Sequence, residues 1–255
     1  MDAKVKNKST NEVSINNFCS AIADDLNMLA ALHDNEVEER LLNAMDISDF
    51  PMQLGLKVES EQAIDAQRLL KQAVDNLPRP FDKKTIDTLA ADYADIYLSY
   101  TFRASPYESV WLDLENLERQ APMFEVRDWY QHFGVAVPDW RIRADDHLVH
   151  QLQFLALLLS LDDFEDKISE VASFMDKHLL RWLGLFAQRV DERCTTKYFA
   201  AVALLTNAYC EELREVLVNV FGLQRQLPDE KDEAETEKEI PEAPQPFMPG
   251  MGPTI

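Results

Sequence analysis

The sequence predicts an all-α protein, a single helical bundle of about nine helices. Three observations favour this fold. The 255 residues include only six glycines. Long stretches consist of Ala, Leu, Glu, Asp, Gln and Arg, a composition that favours helix. Apolar residues recur at spacings of three and four along most of the chain, and 46% of all residues are hydrophobic, which is enough for a sizeable core.

The N-terminal helices follow from this spacing. One apolar stripe predicts a helix over 15–33, and a second, short helix fits 36–45. Further helices are predicted over 60–77 and 83–100, and Asp82 is a suitable N-cap for the latter. Its aromatic stripe, which includes Tyr93, Tyr97 and Tyr100, is more typical of a core than of a ligand site, although some of its rings could line a groove.

The C-terminal helices are bounded by proline and glycine. Pro122 suits the first turn of a helix over 123–133, which stops at Gly134. A helix starting near Ala144 stays apolar through Leu161, so we expect it to be the most buried one. The remaining helices are predicted over 163–176, 177–194 and 195–222.

The charge of the chain limits its partners. With 46 acidic and 25 basic residues, the formal net charge is −21. Such a surface repels nucleic-acid phosphates and anionic lipid headgroups, so we expect neither nucleic-acid binding nor stable membrane insertion. Cationic partners are favoured; alternatively, the acidity serves only solubility.

Cysteine usage and the N-terminus indicate a cytoplasmic protein. Cys19, Cys194 and Cys210 have no C-x-x-C spacing and no matching histidine cluster, so we expect reduced, mostly buried thiols rather than disulfides or a zinc site. The first residues lack an apolar leader region, and no run approaches the roughly 20 apolar residues of a transmembrane helix.

The composition changes abruptly at residue 224. Residues 224–255 contain eight acidic and three basic residues and then a Pro-rich end, so we expect a disordered tail. The predicted organisation is a flexible N-terminus over 1–13, a helical domain over 14–223 and this tail. The tail is either inert or a tethered motif that docks on a partner or on the protein's own groove.

Two segments are candidates for function. Ser105 to Asp113 is a Pro/Trp loop in which Pro106, Tyr107, Val110 and Trp111 either dock on the body or face a partner. Asp145 to Ala156 opens with an Asp-Asp-His triplet and continues into an apolar helix. Together they are typical of a peptide-recognition groove.

An enzymatic reading uses the start of the second segment. Asp145, Asp146, His147 and His150 could form a metal site or an acid/base pair, which suggests a small metal-dependent hydrolase centred on Asp146 and His147. Asp145 or Asp146 could equally be a helix N-cap without any further role. The chain has no phosphate-binding, dinucleotide-binding or hydrolase motif. A general helical adaptor that acts through its tail is a third alternative.

At these segments the chain resembles the TorD/DmsD/NarJ family of chaperones for molybdenum-containing redox enzymes. The resemblance rests on Tyr93-x-x-x-Tyr97, on Pro106-x-x-Ser109-Val-Trp-Leu-Asp113 and on Asp146-His-Leu-x-x-x-Leu152-x-Phe-Leu-Ala156. The helix order over 14–222 also agrees. Gln151 stands where the family frequently has an acidic residue.

The resemblance implies an all-helical, cytoplasmic chaperone rather than an enzyme, without a cofactor of its own and either monomeric or dimeric. It would bind the twin-arginine signal peptide and the apo form of a molybdopterin-containing oxidoreductase, assist cofactor insertion and delay export. Within the groove, Pro106 and Trp111 would shape the walls, and Asp146 and His147 would be polar anchors. Ser109 and Gln151 would also contribute, with Tyr93 and Tyr97 as further wall residues.

Overall fold

The structure is a computed structural model that describes residues 2–99, 101–161 and 164–226. The described residues form ten α-helices and two π-helical turns, with one isolated β-bridge and no other strand pairing. This confirms the all-α prediction. The α-helices are α1 (Asp2–Asp34), α2 (Glu39–Ser48), α3 (Glu61–Asp75), α4 (Lys83–Tyr93), α5 (Ser109–Leu112), α6 (Ala121–His132), α7 (Leu148–Ser160), α8 (Phe164–Phe174), α9 (Leu180–Arg193) and α10 (Lys197–Phe221).

The core is built around two apolar helices. Helix α7 packs along α1 and α8, and α10 packs against α9 and α3. Nine of the 13 residues of α7 are buried, because its apolar residues continue around most of the helix circumference. A helix of this kind is stable only when neighbours cover it on several sides.

Local sequence signals determine several helix ends as predicted. The Asp82 carboxylate accepts a hydrogen bond of 2.8 Å from the Thr85 backbone N–H at the start of α4. Pro122 lies in the first turn of α6, where no backbone N–H is required. Gly222 ends α10 with φ of 71°, a conformation that favours glycine.

Two helices extend beyond their predicted limits. Helix α1 begins at Asp2 rather than near residue 15, so the predicted N-terminal lead-in continues the first helix. The predicted break between 176 and 177 is absent, because the π turn Met175–Leu179 joins α8 directly to α9. A second π turn, Ala94–Leu98, extends α4.

The aromatic stripe of the α4 region lies in the core, as favoured by the sequence. Tyr97 and Phe199 pack at a ring-centroid distance of 6.2 Å, and Tyr93 lies 4.8 Å from Tyr97. Buried His33 accompanies them, with Nδ1 bonded to the Tyr97 hydroxyl and Nε2 lying 2.9 Å from Thr206 Oγ1. Tyr100 lies outside the described residues.

A buried ion pair holds the residues that follow α10. The guanidinium of Arg214 binds both carboxylate oxygens of Asp176, at 2.8 and 2.7 Å, in the π turn before α9. Arg214 also donates to the carbonyls of Leu223 and Gln224, and the Gln226 N–H donates to Asp176. Residues 223–226 are therefore tied to this turn. The predicted tail was expected to begin at 224, but residues 224–226 are held by these bonds, and the rest of it, from 227 onward, lies outside the described residues.

All three cysteines are free thiols, and Cys19 and Cys210 are buried while Cys194 is partly exposed. None of the helices in the described ranges has the length and apolarity needed to cross a membrane.

Burial lowers the pKa of His33 from 6.5 to about 3. The unfolded chain therefore binds a proton below about pH 6.5 that the folded protein does not bind, so stability should fall as pH drops from 6.5 toward 4. We expect His33→Gln to reduce the slope of the free energy of unfolding against pH by up to about 1.4 kcal/mol per pH unit. Urea unfolding at several pH values measures the slope, and exposed His132→Gln is the control. Equal slopes in wild type and His33→Gln would show that His33 is not the group responsible.

Candidate functional site

The two candidate segments lie side by side. Tyr107 and His147 form an isolated antiparallel β-bridge. In it the Leu148 N–H donates to the Pro106 carbonyl at 2.8 Å, and the Glu108 N–H donates to the Asp146 carbonyl at 3.2 Å. A contact between segments 40 residues apart thus satisfies backbone groups that would otherwise be buried without partners.

The Asp146 carboxylate fixes the start of α5. Its Oδ2 accepts hydrogen bonds from the Ser109 N–H at 2.8 Å and from the Ser109 hydroxyl at 2.6 Å. Both side chains are fully buried. The Ser109 hydroxyl also accepts from the Gln120 N–H at 3.3 Å, just before α6. One serine therefore links α5, α6 and the segment leading into α7.

A second polar layer lies behind this contact. Glu108 is buried, with Oε1 lying 2.9 Å from His178 Nδ1 and Oε2 accepting from Gln151 Nε2 at 2.6 Å. Burial raises the pKa of Glu108, and the contacts with His178 and Gln151 oppose the rise. Burial likewise raises the pKa of Asp146, opposed by the Ser109 hydrogen bonds. Asp146 Oδ1 and Gln151 Oε1 accept no hydrogen bond from the described residues.

The residue that caps α7 differs from the predicted one. His147, rather than Asp145 or Asp146, is the N-cap, and its Nδ1 accepts from the Val149 N–H at 3.1 Å. Burial lowers the pKa of His147, consistent with a neutral ring that accepts at Nδ1. Asp145 instead pairs with Arg127 at 2.8 Å. The helix begins at Leu148 because the preceding residues pair with the Pro/Trp loop.

Trp111 reaches the surface on the outer side of this scaffold. Its indole Nε1 donates to the Ser105 carbonyl at 2.8 Å, which fixes the ring orientation. The Arg189 guanidinium lies 5.4 Å from the ring centroid. The half-buried indole borders a surface cavity of about 650 Å³, which we call the Trp111 cavity. Its lining includes Arg103, Val110, Trp111, Leu117, Glu118 and Arg189.

The cavity has an apolar part and two charged edges. Val110, Trp111 and Leu117 supply the apolar part, and Arg103 and Arg189 form a cationic edge. The loop after α5 adds Glu118 to the lining and carries Asp113, Glu115 and two leucines that are more than half exposed, Leu114 at 55% and Leu117 at 51%.

The backbone bordering the cavity is unusual. Arg103 and Asn116, which line it, and the nearby Arg119 have φ of 50°, 54° and 63°. Residues other than glycine adopt this left-handed region uncommonly, and such residues cluster at ligand sites. The Arg119 guanidinium also holds the Arg141 carbonyl at 2.9 Å.

The structure brings together only part of the predicted site. Pro106, Ser109, Asp146, His147 and Gln151 meet, but all five are buried and none lines the Trp111 cavity. The family resemblance implied that Asp146 and His147 are polar anchors of a groove, but in the structure both side chains are buried behind the Pro/Trp loop. These buried residues hold the Pro/Trp loop in place, and Trp111 is the residue that lies at the surface. Tyr93 and Tyr97 lie in the separate aromatic core.

The geometry does not support the alternative of a metal-dependent hydrolase centred on Asp146 and His147. Asp146 Oδ2 is occupied by Ser109, and His147 Nδ1 is occupied by the Val149 N–H. Within the described ranges, no group of three or more His, Cys, Asp or Glu side chains could hold a metal ion.

Comparison with known proteins identifies the family. A family model described as nitrate reductase delta subunit matches residues 59–188, about half of the chain, including both candidate segments. The Chaperone protein TorD of Vibrio cholerae (strain M66-2) is 31% identical over 166 residues, which cover 62% of this chain and 74% of that protein. The chain belongs to this TorD-like chaperone family.

Other TorD proteins match over different lengths. The Vibrio vulnificus (strain CMCP6) protein is 32% identical over 146 residues, covering 54% of this chain and 68% of the relative. The Shewanella pealeana protein is 25% identical over 220 residues, covering 82% of this chain and 95% of the relative. The similarity to TorD chaperones therefore extends over most of the helical body.

Several residues of the candidate site were not identified from the sequence. Glu108 and His178 are 70 positions apart, and a lone buried His or Glu has no spacing signal of its own. Arg189 was assigned only to a helix, and Leu117 only to a connecting segment. The one available signal for this part of the site was the presence of leucines in an acidic loop. Apolar residues outside a periodic helix either pack on the body of the protein or form a contact surface.

Ser109→Ala should destabilise the protein by about 1 to 3 kcal/mol, because it removes two buried hydrogen bonds and leaves Asp146 with the Ser109 N–H alone. The control is Ser48→Ala, an exposed serine that donates to the Ala44 carbonyl, for which we expect less than about 0.5 kcal/mol. Urea unfolding measures both. Similar small effects for the two variants would refute the role assigned to Ser109.

Proposed function

We propose that this protein binds the twin-arginine signal peptide and apo form of a molybdopterin-containing oxidoreductase, assists cofactor insertion and delays export from the cytoplasm. Membership of the TorD-like family supports a chaperone for a redox enzyme. The observation that carries the peptide site is the Trp111 cavity, built on two of the three motifs that bear the family resemblance.

The cavity matches a leader peptide in its apolar part. A twin-arginine leader has a cationic head followed by an apolar stretch. Trp111, Val110 and Leu117 offer a surface on which such a stretch can be buried, and the Ser105 contact already holds the indole in place. A preorganised aromatic ring loses little entropy on binding, so its burial contributes most of the affinity.

The charged edges define how the leader lies. Arg103 and Arg189 repel an arginine pair, whereas Asp113, Glu115 and Glu118 attract it. The cationic head is therefore placed along the loop after α5, with the apolar stretch directed toward Trp111. The net charge of −21 also steers a cationic leader to the protein. An affinity near micromolar, about −8 kcal/mol, suits a client that is later released.

Trp111→Ala should weaken leader binding by more than about 1 kcal/mol, or more than about fivefold in Kd, because it removes the main apolar surface. Isothermal titration calorimetry with twin-arginine peptides from redox enzymes encoded beside this gene measures the change. His150→Ala and Trp140→Ala are controls, the second removing another partly exposed indole outside the cavity lining. Absence of heat with every such peptide would count against the function, and equal effects of Trp111→Ala and Trp140→Ala would mean that the cavity is misplaced.

Glu115→Gln combined with Glu118→Gln should weaken leader binding by roughly two- to tenfold at low salt and reduce its salt dependence, because two attractive charges are lost. The control is Glu36→Gln, an exposed glutamate on the segment between α1 and α2. Titrations at low and high ionic strength test this. An unchanged affinity at low salt would place the arginine pair elsewhere.

A further inference from the structure

The cationic edge of the Trp111 cavity is unusual for so acidic a protein. Arg103 and Arg189 line the cavity. Arg189 Nη1 donates to the Arg103 carbonyl at 3.3 Å, and Arg193 Nη1, which lies outside the lining, donates to the Phe102 carbonyl at 2.8 Å. None of the three forms an ion pair with another described residue. We call Arg103, Arg189 and Arg193 the arginine edge. It fits an acidic ligand, whereas a cationic leader leaves it unpaired.

The chain itself contains a segment of matching chemistry. Residues 227–255 hold eight acidic and two basic residues, all of them before residue 243. They are followed by an apolar, Pro-bearing sequence with Phe247, Met248 and Met251. Acidic residues followed by an aromatic and methionines complement an arginine edge next to an apolar cavity.

We propose that residues 229–251 of the same chain dock in the Trp111 cavity. The carboxylates pair with the arginine edge, and Phe247 and Met248 pack against Trp111, Val110 and Leu117.

The attachment point makes this contact reachable. Gln226 is held by Asp176, 13 residues before Arg189 on the continuous helix that contains the π turn and α9. That separation corresponds to roughly 20 Å along a helix. The 21 residues from Gln226 to Phe247 can span up to roughly 70 Å, so the peptide reaches the cavity without strain.

The connection also strengthens a weak contact. A tether of suitable length raises the effective concentration of its end to about the millimolar range. A contact with a Kd of about 1 mM between separate molecules is therefore roughly half occupied within one chain. The docking does not depend on the function proposed above. Only its consequence, competition with a leader peptide, rests on that function.

The position of the peptide is tested by photo-cross-linking of the full-length protein. With Phe247→p-benzoylphenylalanine, ultraviolet irradiation should form intramolecular cross-links to residues 103–118 or 185–193, mapped by mass spectrometry. Arg189→Gln with Arg193→Gln should reduce the yield severalfold, and Arg68→Gln, an exposed arginine on α3, should not. Cross-links elsewhere on the body would overturn the proposal. Cross-links that form only between molecules, with a yield that rises with concentration, would do so as well.

The affinity is tested with a synthetic peptide of residues 229–255 added to full-length protein. Phe247→Ala with Met248→Ala in the protein should free the cavity, so the added peptide should bind this variant about twofold more tightly than wild type. High salt should weaken binding, and a scrambled peptide should not bind. Equal affinity for the two proteins, or no binding to the variant at millimolar peptide, would refute the docking. Neither experiment uses a twin-arginine peptide, so failure here is distinct from failure of the proposed function.

Discussion

The candidate site depends on the pairing of residues 106–108 with residues 146–148. Two backbone hydrogen bonds join the segments, and the Asp146 carboxylate adds two more to Ser109. Because these groups are buried, separating the segments would leave several of them without hydrogen-bond partners. Each unsatisfied group would reduce the free energy of unfolding by about 1 to 3 kcal/mol. Trp111 follows Ser109 by two residues, so the position of the indole is set by this contact. The position of the Trp111 indole at the surface is thus set by residues that are themselves buried.

The site divides its charges in space. The loop after α5 supplies acidic side chains, among them Glu118 in the cavity lining, whereas Arg103 and Arg189 come from other segments. Exposed charges at these distances are partly screened by salt, so they contribute orientation and association rate more than affinity. For the leader peptide proposed above, the apolar part would supply the affinity, but it would not distinguish the two ends of an apolar peptide. Under that proposal, the arrangement of charge decides the direction in which the leader lies.

The sequence predicted most of the fold and less of the site. Helical periodicity predicted all the long helices, because apolar residues at helical spacing mark the side of a helix that is buried. The start of α7 was misplaced since an Asp-Asp-His triplet has the local features of a cap, whereas Asp146 is used by Ser109, 37 positions away. The pairs Glu108–His178 and Arg189–Trp111 were missed for the same reason, because spacing along the chain does not encode contacts between distant segments. Trp111 was identified because an indole outside a periodic stripe must either dock or face a partner.

The π turn between α8 and α9 joins the site to the end of the described chain. Its His178 contacts Glu108, one residue before α5, and its Asp176 binds Arg214 and Gln226. Removing one partner of a buried ion pair typically costs about 3 to 5 kcal/mol, so the Asp176–Arg214 pair makes this turn a firmly held support. If the support is fixed, binding does not reorganise the buried layer. Under the proposed function, discrimination between peptides then falls to the loop after α5, which carries Leu114, Leu117 and Glu118, because these side chains take no part in the hydrogen bond that holds Trp111.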